Sequence, residues 1–135
     1  MRHIASGDAP LPTIVVSEAD QDRLYDLAYA IQRTAPEVAK VLLQEMGRAE
    51  IRETDAISHS VIAMGSLVRF RDEDGQERTI TLVYPGEADI EAGRISVATP
   101  VGAALIGLSV GQSFRWTGRD GQDHVLTVLG VAAGA

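Results

Sequence analysis

The stretch TPVGAALIGLSVG, residues 99–111, comes nearer than any other part of the chain to a site of known chemistry. Gly102 and Gly107 have the spacing of the phosphate-binding loop G-x-x-x-x-G-K-[ST], and Ser109 stands where that loop carries its magnesium-binding hydroxyl. Leu108, however, occupies the lysine position. Because that lysine reaches the β- and γ-phosphates, we do not predict phosphate binding here.

The same stretch instead has the signals of a short packed helix. Thr99 is a good N-cap, and Pro100 suits a first helical turn. Gly107 can end the helix in a left-handed conformation. The residues between them are apolar and mostly small, so we expect the helix to lie close against a sheet.

Two further sets of side chains could be metal ligands: the alternating acids Glu87, Asp89 and Glu91, and the histidines His3, His59 and His124. The acids lack the bidentate glutamate and the glycine position of a calcium loop. The histidines are not at ligand spacing. Ser58 and Ser60 flank His59, but neighbours in sequence do not make a catalytic triad. We therefore expect no catalytic residue, no metal and no cofactor.

Composition favours a protein partner. The 135-residue chain has a formal net charge of −7, which argues against direct nucleic-acid binding because such binding needs lysine and arginine to displace counterions. It has no cysteine and no apolar run long enough to span a membrane. Its first residues lack the apolar core of a signal peptide. We expect a cytoplasmic protein without a membrane segment, and a monomer.

The first half of the chain is predicted to be a helical hairpin, residues 13–54, that follows a polar tail. Ser17 and Asp20 form a capping box. One apolar stripe has helical spacing, as does a second after the predicted turn at residues 33–37. The two stripes are Leu24, Leu27, Ala28 and Ile31, then Val38, Val41, Leu42, Met46 and Ala49. Each arm has roughly 16 residues, or about 25 Å at 1.5 Å per residue.

From about Ser60 the apolar period changes to two, which predicts strands. The predicted strands are residues 67–71, 78–84, 94–97, 113–117 and 124–131. With one short helix at Pro100, they define a second part, residues 60–132, with an antiparallel sheet. The expected fold class is α+β, and we expect the core of this part to be separate from that of the hairpin.

Four blocks carry a family resemblance: PTIVVSEAD, VIAMGSLVRFRD, TLVYPGEAD and RISVATPVGAALIGLSVGQSFRW. With them, the chain resembles the bacterial regulators of nucleoside diphosphate kinase, within the Gre transcription-factor superfamily. The resemblance implies a short N-terminal antiparallel coiled-coil hairpin followed by an FKBP-like domain.

The resemblance also implies a partner. Gre factors dock their FKBP-like domain at the secondary channel of bacterial RNA polymerase, and acids at the hairpin tip hold a catalytic Mg²⁺. The predicted tip here contains Arg33, Thr34, Pro36 and Glu37, so it has one carboxylate where a divalent ion needs two or more. The short hairpin and this tip indicate a non-catalytic regulator that binds RNA polymerase and competes with Gre-type factors.

In Gre factors, an acidic-Ser-Pro segment at the entrance of the short helix contacts the polymerase. Ala98, Thr99 and Pro100 are the matching residues, and Ala98 lacks the acid. Two alternatives stay open. One is a factor that stimulates transcript cleavage. The other is an FKBP-like prolyl isomerase or chaperone, for which the second part offers the aromatic residues Phe70, Tyr84, Phe114 and Trp116.

Overall fold

The computed structural model describes residues 12–118 and 120–133. The expected N-terminal tail and His3 lie outside this range. The α-helices within it are α1 (Glu18–Ala30), α2 (Pro36–Arg48) and α3 (Pro100–Leu105). The strands of the described residues are β1 (Val15–Ser17), β2 (Glu50–Arg52), β3 (Leu67–Arg71), β4 (Glu77–Val83), β5 (Arg94–Ser96), β6 (Ser113–Thr117) and β7 (Asp123–Ala132). The α+β class is confirmed.

The helical hairpin forms where its caps predict. The Ser17 hydroxyl accepts a 3.1 Å hydrogen bond from the Asp20 amide, which starts α1, and Pro36 is in the first turn of α2. The apolar stripes face inward, with these members fully or nearly fully buried: Leu24, Ala28, Val38, Leu42 and Met46. Each helix has 13 residues, so the arms are shorter than the expected 16.

A two-stranded parallel ribbon, absent from the sequence predictions, joins the base of the hairpin. β1 pairs with β2 in the register Val16 to Ile51. The Val15 amide also donates a 3.1 Å hydrogen bond to the Gly107 carbonyl, just after α3. Strands of three residues are too short to show a period of two, so sequence patterning could not reveal them.

The main sheet has five strands in the order β5-β4-β3-β7-β6. All five predicted strands are confirmed, but the prediction of an antiparallel sheet is wrong at one edge. β4 and β5 run parallel, in the register Thr81 to Arg94. The chain between them passes through two 3₁₀ turns, Pro85–Glu87 and Ile90–Ala92, and this crossover brings β5 back in the direction of β4.

The expectation of two separate cores is wrong. One continuous apolar cluster contains Leu24 and Leu42 of the hairpin, Leu105 of α3, and Phe114 and Leu126 of the sheet. α3 contacts both α2 and β6, so it connects the helical layer to the sheet. The apolar face of the hairpin packs against α3 and the sheet, and burying it there forms one core.

A second link joins α1 to the end of β4. The Tyr84 hydroxyl donates a 3.1 Å hydrogen bond to Asp20, and the Arg23 guanidinium lies 3.8 Å from the centre of the Tyr84 ring. Burial, with Asp20 beside it, raises the pKa of Tyr84.

Within residues 12–118 and 120–133, no helix has the length and apolar character needed to cross a bilayer.

Candidate functional site

The entrance of α3 forms a rigid corner, which we define as Ala98, Thr99 and Pro100. The Thr99 hydroxyl donates a 2.7 Å hydrogen bond to the Ser96 carbonyl and accepts one of 3.1 Å from the Gly102 amide. Thr99 therefore caps α3 as predicted, and the one proton of its hydroxyl is donated within the chain. Pro100 is exposed at the start of the helix, so its ring lies at the surface of the corner.

The two glycines with phosphate-loop spacing each have a packing role. A Cβ atom on Gly102 would lie 2.2 Å from the Ser96 carbonyl oxygen and 2.7 Å from Val97 Cα. Gly107 has φ +82°, the left-handed conformation that its position after the helix predicts. The missing side chain of Gly102 therefore lets α3 lie directly on the chain at the end of β5, and Gly107 lets the chain turn after the helix.

The hairpin tip is a five-residue turn closed by backbone hydrogen bonds. The amides of Thr34 and Ala35 donate to the Ile31 carbonyl at 3.1 and 2.8 Å. The predicted tip residues Arg33, Thr34, Pro36 and Glu37 are all exposed. Among the residues that the structure describes, no group of three or more potential ligands could hold a metal ion, at the tip or elsewhere.

The tip and the corner meet across one apolar groove of about 360 Å³, which we call the tip–corner groove. Its lining comes from the tip and first turns of α2, from the corner and α3, and from β6. The lining residues are Thr34, Ala35, Glu37, Val38, Val41, Ala98, Thr99, Pro100, Ala104, Phe114, Trp116, Thr117 and Gly118.

Not every predicted tip residue belongs to this groove. Arg33 is absent from its lining, and Pro36 instead lines a shallow depression with Gln32 and Lys40 on another side of α2. The sequence predicted the tip and the corner separately, but it could not show that they lie on either side of one groove. Their approach depends on the hairpin packing onto α3, which the expected separate cores did not include.

Two of the four aromatic side chains that could have formed an isomerase pocket line the groove. Phe114 and Trp116 have ring centres 6.2 Å apart. Phe70 is buried in the core. Tyr84 donates a hydrogen bond to Asp20, and its ring lies under the Arg23 guanidinium. The four rings therefore do not enclose a common proline-binding pocket.

The ring of His124 stacks on the ring of Trp116, with 5.3 Å between the ring centres. His124 lies between two carboxylates: Nδ1 is 3.3 Å from Glu73 and Nε2 is 3.5 Å from Asp120. The hydrogen bond to Glu73 is the main cause that raises the pKa of His124 above its ordinary 6.5. The Val125 amide is the main cause that lowers the pKa of Glu73.

This cluster predicts a pH-dependent contribution to stability. A raised histidine pKa stabilises the fold fully below about pH 6.5, and the effect is lost as the pH rises through the higher folded value. The lowered pKa values of Glu73 and Asp120 make their contribution present above about pH 4.5 and lost on further acidification. We therefore expect the parent to exceed His124→Gln in melting temperature most between about pH 5 and 6.5.

The measurement is a melting curve of both proteins at intervals from pH 5 to pH 9. Trp116 is the one tryptophan of the chain, so its fluorescence also reports the stacked histidine directly. We expect a fluorescence midpoint above pH 6.5 that is absent in His124→Gln. A melting-temperature difference that stays constant, or grows towards pH 9, contradicts the prediction.

Comparison with known families gives two adjoining matches. Residues 57–133 match the family described as transcription elongation factor, GreA/GreB, C-term. Residues 12–51 match the Rnk N-terminus. The first match contains the main sheet and α3, and the second contains the hairpin.

Curated relatives and a solved structure agree with these matches. The chain is 38% identical over 106 residues to the regulator of nucleoside diphosphate kinase of Escherichia coli K12, with 78% of each chain covered. It is 35% identical over 122 residues to transcription elongation factor GreA of Rhodospirillum rubrum, covering 85% of this chain and 78% of that protein.

The fold is similar to the solved structure of a prokaryotic transcription elongation factor GreA/GreB from Nitrosomonas europaea. The TM-score is 0.70 at 34% identity, with 89% of this chain and 99% of that chain covered. With a Rnk N-terminus joined to a GreA/GreB C-terminal region, this chain belongs to the Gre-factor family and, within it, to the regulators of nucleoside diphosphate kinase.

Proposed function

We propose that this protein is a non-catalytic transcription regulator that binds bacterial RNA polymerase at the secondary channel and competes there with Gre-type factors. The observation that carries the proposal is the exposed Pro100 corner within a region, residues 57–133, that matches the GreA/GreB C-terminal family. A capped helix entrance is a preorganised contact surface, because its backbone does not have to become ordered on binding.

We also infer how the two parts divide the work. Residues 13–54 act as the short coiled coil of the family and residues 60–132 as its FKBP-like docking domain. Each helix of 13 residues is about 20 Å long, which is a short reach. Glu37 is the acidic residue of the tip, and one carboxylate makes a poor Mg²⁺ site. Both features favour a regulator that occupies the channel without stimulating cleavage.

The direct test is binding to core RNA polymerase at micromolar concentrations and displacement of the bound protein by a Gre-type factor. We expect both, and no stimulation of transcript cleavage in a backtracked complex. Absence of binding and of competition would overturn the proposal. Cleavage stimulation would instead assign the protein to the catalytic elongation factors.

Two variants in α3 separate docking from folding. Pro100→Asn keeps the Thr99 cap and changes the exposed ring, so we expect about tenfold weaker polymerase binding with little change in melting temperature. Leu105→Ala empties a fully buried position and should cost about 2–5 kcal/mol of stability. If Pro100→Asn binds as well as the parent, the corner is a helix cap and not a docking surface.

A further inference from the structure

We propose that the proton on His124 regulates docking on RNA polymerase, and that the protein with a charged imidazolium binds more tightly than the protein with a neutral imidazole. The inference rests on the proposed function and adds the regulation of its docking surface. The geometry that carries it is one imidazole ring that lies between two carboxylates and stacks on a side chain of the tip–corner groove.

Three elements meet at this ring. His124 belongs to β7 and lies directly opposite Trp116 of β6. Glu73 approaches the ring from the turn between β3 and β4, and Asp120 approaches it from the turn between β6 and β7. One imidazole therefore ties two turns of the sheet to each other and to the ring of Trp116.

Only the charged form of the ring satisfies both carboxylates. Nδ1 lies 3.3 Å from Glu73 Oε2, and Nε2 lies 3.5 Å from Asp120 Oδ1. An imidazolium carries a hydrogen on each nitrogen, whereas a neutral imidazole carries one hydrogen and one lone pair. Once the proton is lost, one of the two carboxylates faces a lone pair, and that contact changes from attractive to repulsive. The ring then holds one turn and releases the other.

The neighbouring charges do not replace the lost proton. The nearest arginines of the flanking strands, Arg71 and Arg115, pair with Thr127 and Val125. Because successive strand residues alternate between the faces, these arginines lie on the opposite face of the sheet from His124. Arg119 lies outside the described residues.

The other acids of these elements bond elsewhere or are exposed. Asp123 accepts a hydrogen bond from the Thr117 hydroxyl, and Asp72 accepts the amides of its own turn. Asp74 is exposed. In the part of the chain that the structure describes, the charged partners of the ring are therefore Glu73 and Asp120.

The cluster lies against one wall of the tip–corner groove. Trp116, Thr117 and Gly118 line that groove together with the corner. A Cβ atom on Gly118 would lie 2.8 Å from both Asp120 Oδ1 and His124 Nε2, so the groove wall contacts the cluster without a gap. When the ring releases a carboxylate, the end of β6 and the turn after it lose this support. A polymerase that docks beside them must then order them, and this cost lowers the affinity.

The sign of the effect follows from the direction of the shift. Glu73 is the main cause that raises the pKa of His124 above 6.5. The imidazolium therefore prevails below about pH 6.5 and is lost as the pH rises through the higher folded value. We expect affinity for polymerase to be highest on the acidic side of this transition and to fall towards alkaline pH.

The first test measures the Kd for core RNA polymerase from pH 6 to pH 9 at constant ionic strength, with the parent, His124→Gln and His59→Gln. His59→Gln is the matched control, because it makes the same change at an exposed histidine that lines a different cleft. The polymerase also titrates, so the quantity compared is the ratio of each variant's Kd to that of the parent at the same pH.

We expect His124→Gln to bind about fivefold more weakly than the parent at pH 6 and within about twofold of it at pH 9. His59→Gln should follow the parent at every pH. Circular dichroism at each pH shows whether the variants are folded at the temperature of the measurement.

The second test keeps the imidazole and removes one carboxylate. Asp120→Asn leaves an oxygen that can still accept the Gln122 amide, so the turn keeps its hydrogen bond. A neutral imidazole can then donate its one hydrogen to Glu73 and face no second carboxylate. We expect the pH dependence of binding to become smaller and its midpoint to move to lower pH. If Asp120→Asn keeps the size and the midpoint of the parent, the inference is wrong.

The outcomes separate this inference from the proposed function. If the parent binds polymerase and the His124→Gln ratio is the same at every pH, or grows towards pH 9, the regulation is overturned while the polymerase-binding function stands. If the parent does not bind at any pH, both are overturned. If His124→Gln is unfolded at pH 6, the series with Asp120→Asn decides.

Discussion

Gly102→Ala is expected to destabilise the protein by about 4 kcal/mol or more, lowering the melting temperature by roughly 15 °C. The added Cβ would lie 2.2 Å from the Ser96 carbonyl oxygen and 2.7 Å from Val97 Cα, and both are backbone atoms. A side chain could rotate away, but backbone at the end of β5 moves only if α3 or the strand moves. Either movement breaks the Thr99 cap and opens the core beneath Leu105.

The matched control is Gly86→Ala. Gly86 does not have a positive φ, and a Cβ atom there would meet nothing within 4 Å. We expect its unfolding free energy to change by no more than about 0.5 kcal/mol. Thermal melting and urea titration of both variants measure the difference. If Gly102→Ala is as stable as Gly86→Ala, α3 does not lie against β5 as closely as the structure shows.

The fold elements were predictable because each has a strong local signal. β3 and β6 have the predicted bounds, and α3 begins at its capped proline. The apolar periods, the Ser17 cap and Pro36 indicated both helices, but the turn between them begins earlier than predicted, after Ala30, and Pro36 and Glu37 of the predicted tip lie in α2. Such signals arise from neighbours along the chain, so one sequence is enough to show them.

What could not be predicted depends on contacts between distant segments. The β1–β2 ribbon joins residues 15–17 to residues 50–52, and neither strand is long enough to have a pattern of its own. The direction of β5 depends on the path of a crossover, not on strand composition. The His124 cluster brings Glu73 and Asp120 to one imidazole from two different turns.

The candidate site shows the same division. Thr99 and Pro100 were predictable as a corner because capping is local. The residues that face this corner, including Val41 and Trp116, could be identified as partners of it only once the hairpin was placed on α3. Two amphipathic stripes that can pack against each other predict a hairpin with its own core, and the shared cluster shows that this prediction is wrong.

Leu42→Asp tests that correction, and we expect it to unfold the whole described chain. Leu42 is fully buried in the cluster that runs from the hairpin through α3 to the sheet. Removing a buried leucine side chain costs about 2–5 kcal/mol, and burying a carboxylate in its place adds to that cost. The total is comparable with the 5–15 kcal/mol that stabilises a typical domain.

Circular dichroism and Trp116 fluorescence distinguish a shared core from separate ones. With a shared core, Leu42→Asp loses helical signal and native Trp116 emission together, and the parent unfolds in one transition by both probes. With separate cores, helical signal falls while Trp116 keeps its native emission. Gln44→Asp, an exposed position two residues along α2, is the control and should melt close to the parent. A Leu42→Asp variant that keeps a native sheet would contradict the shared core and show that the sheet folds without the hairpin.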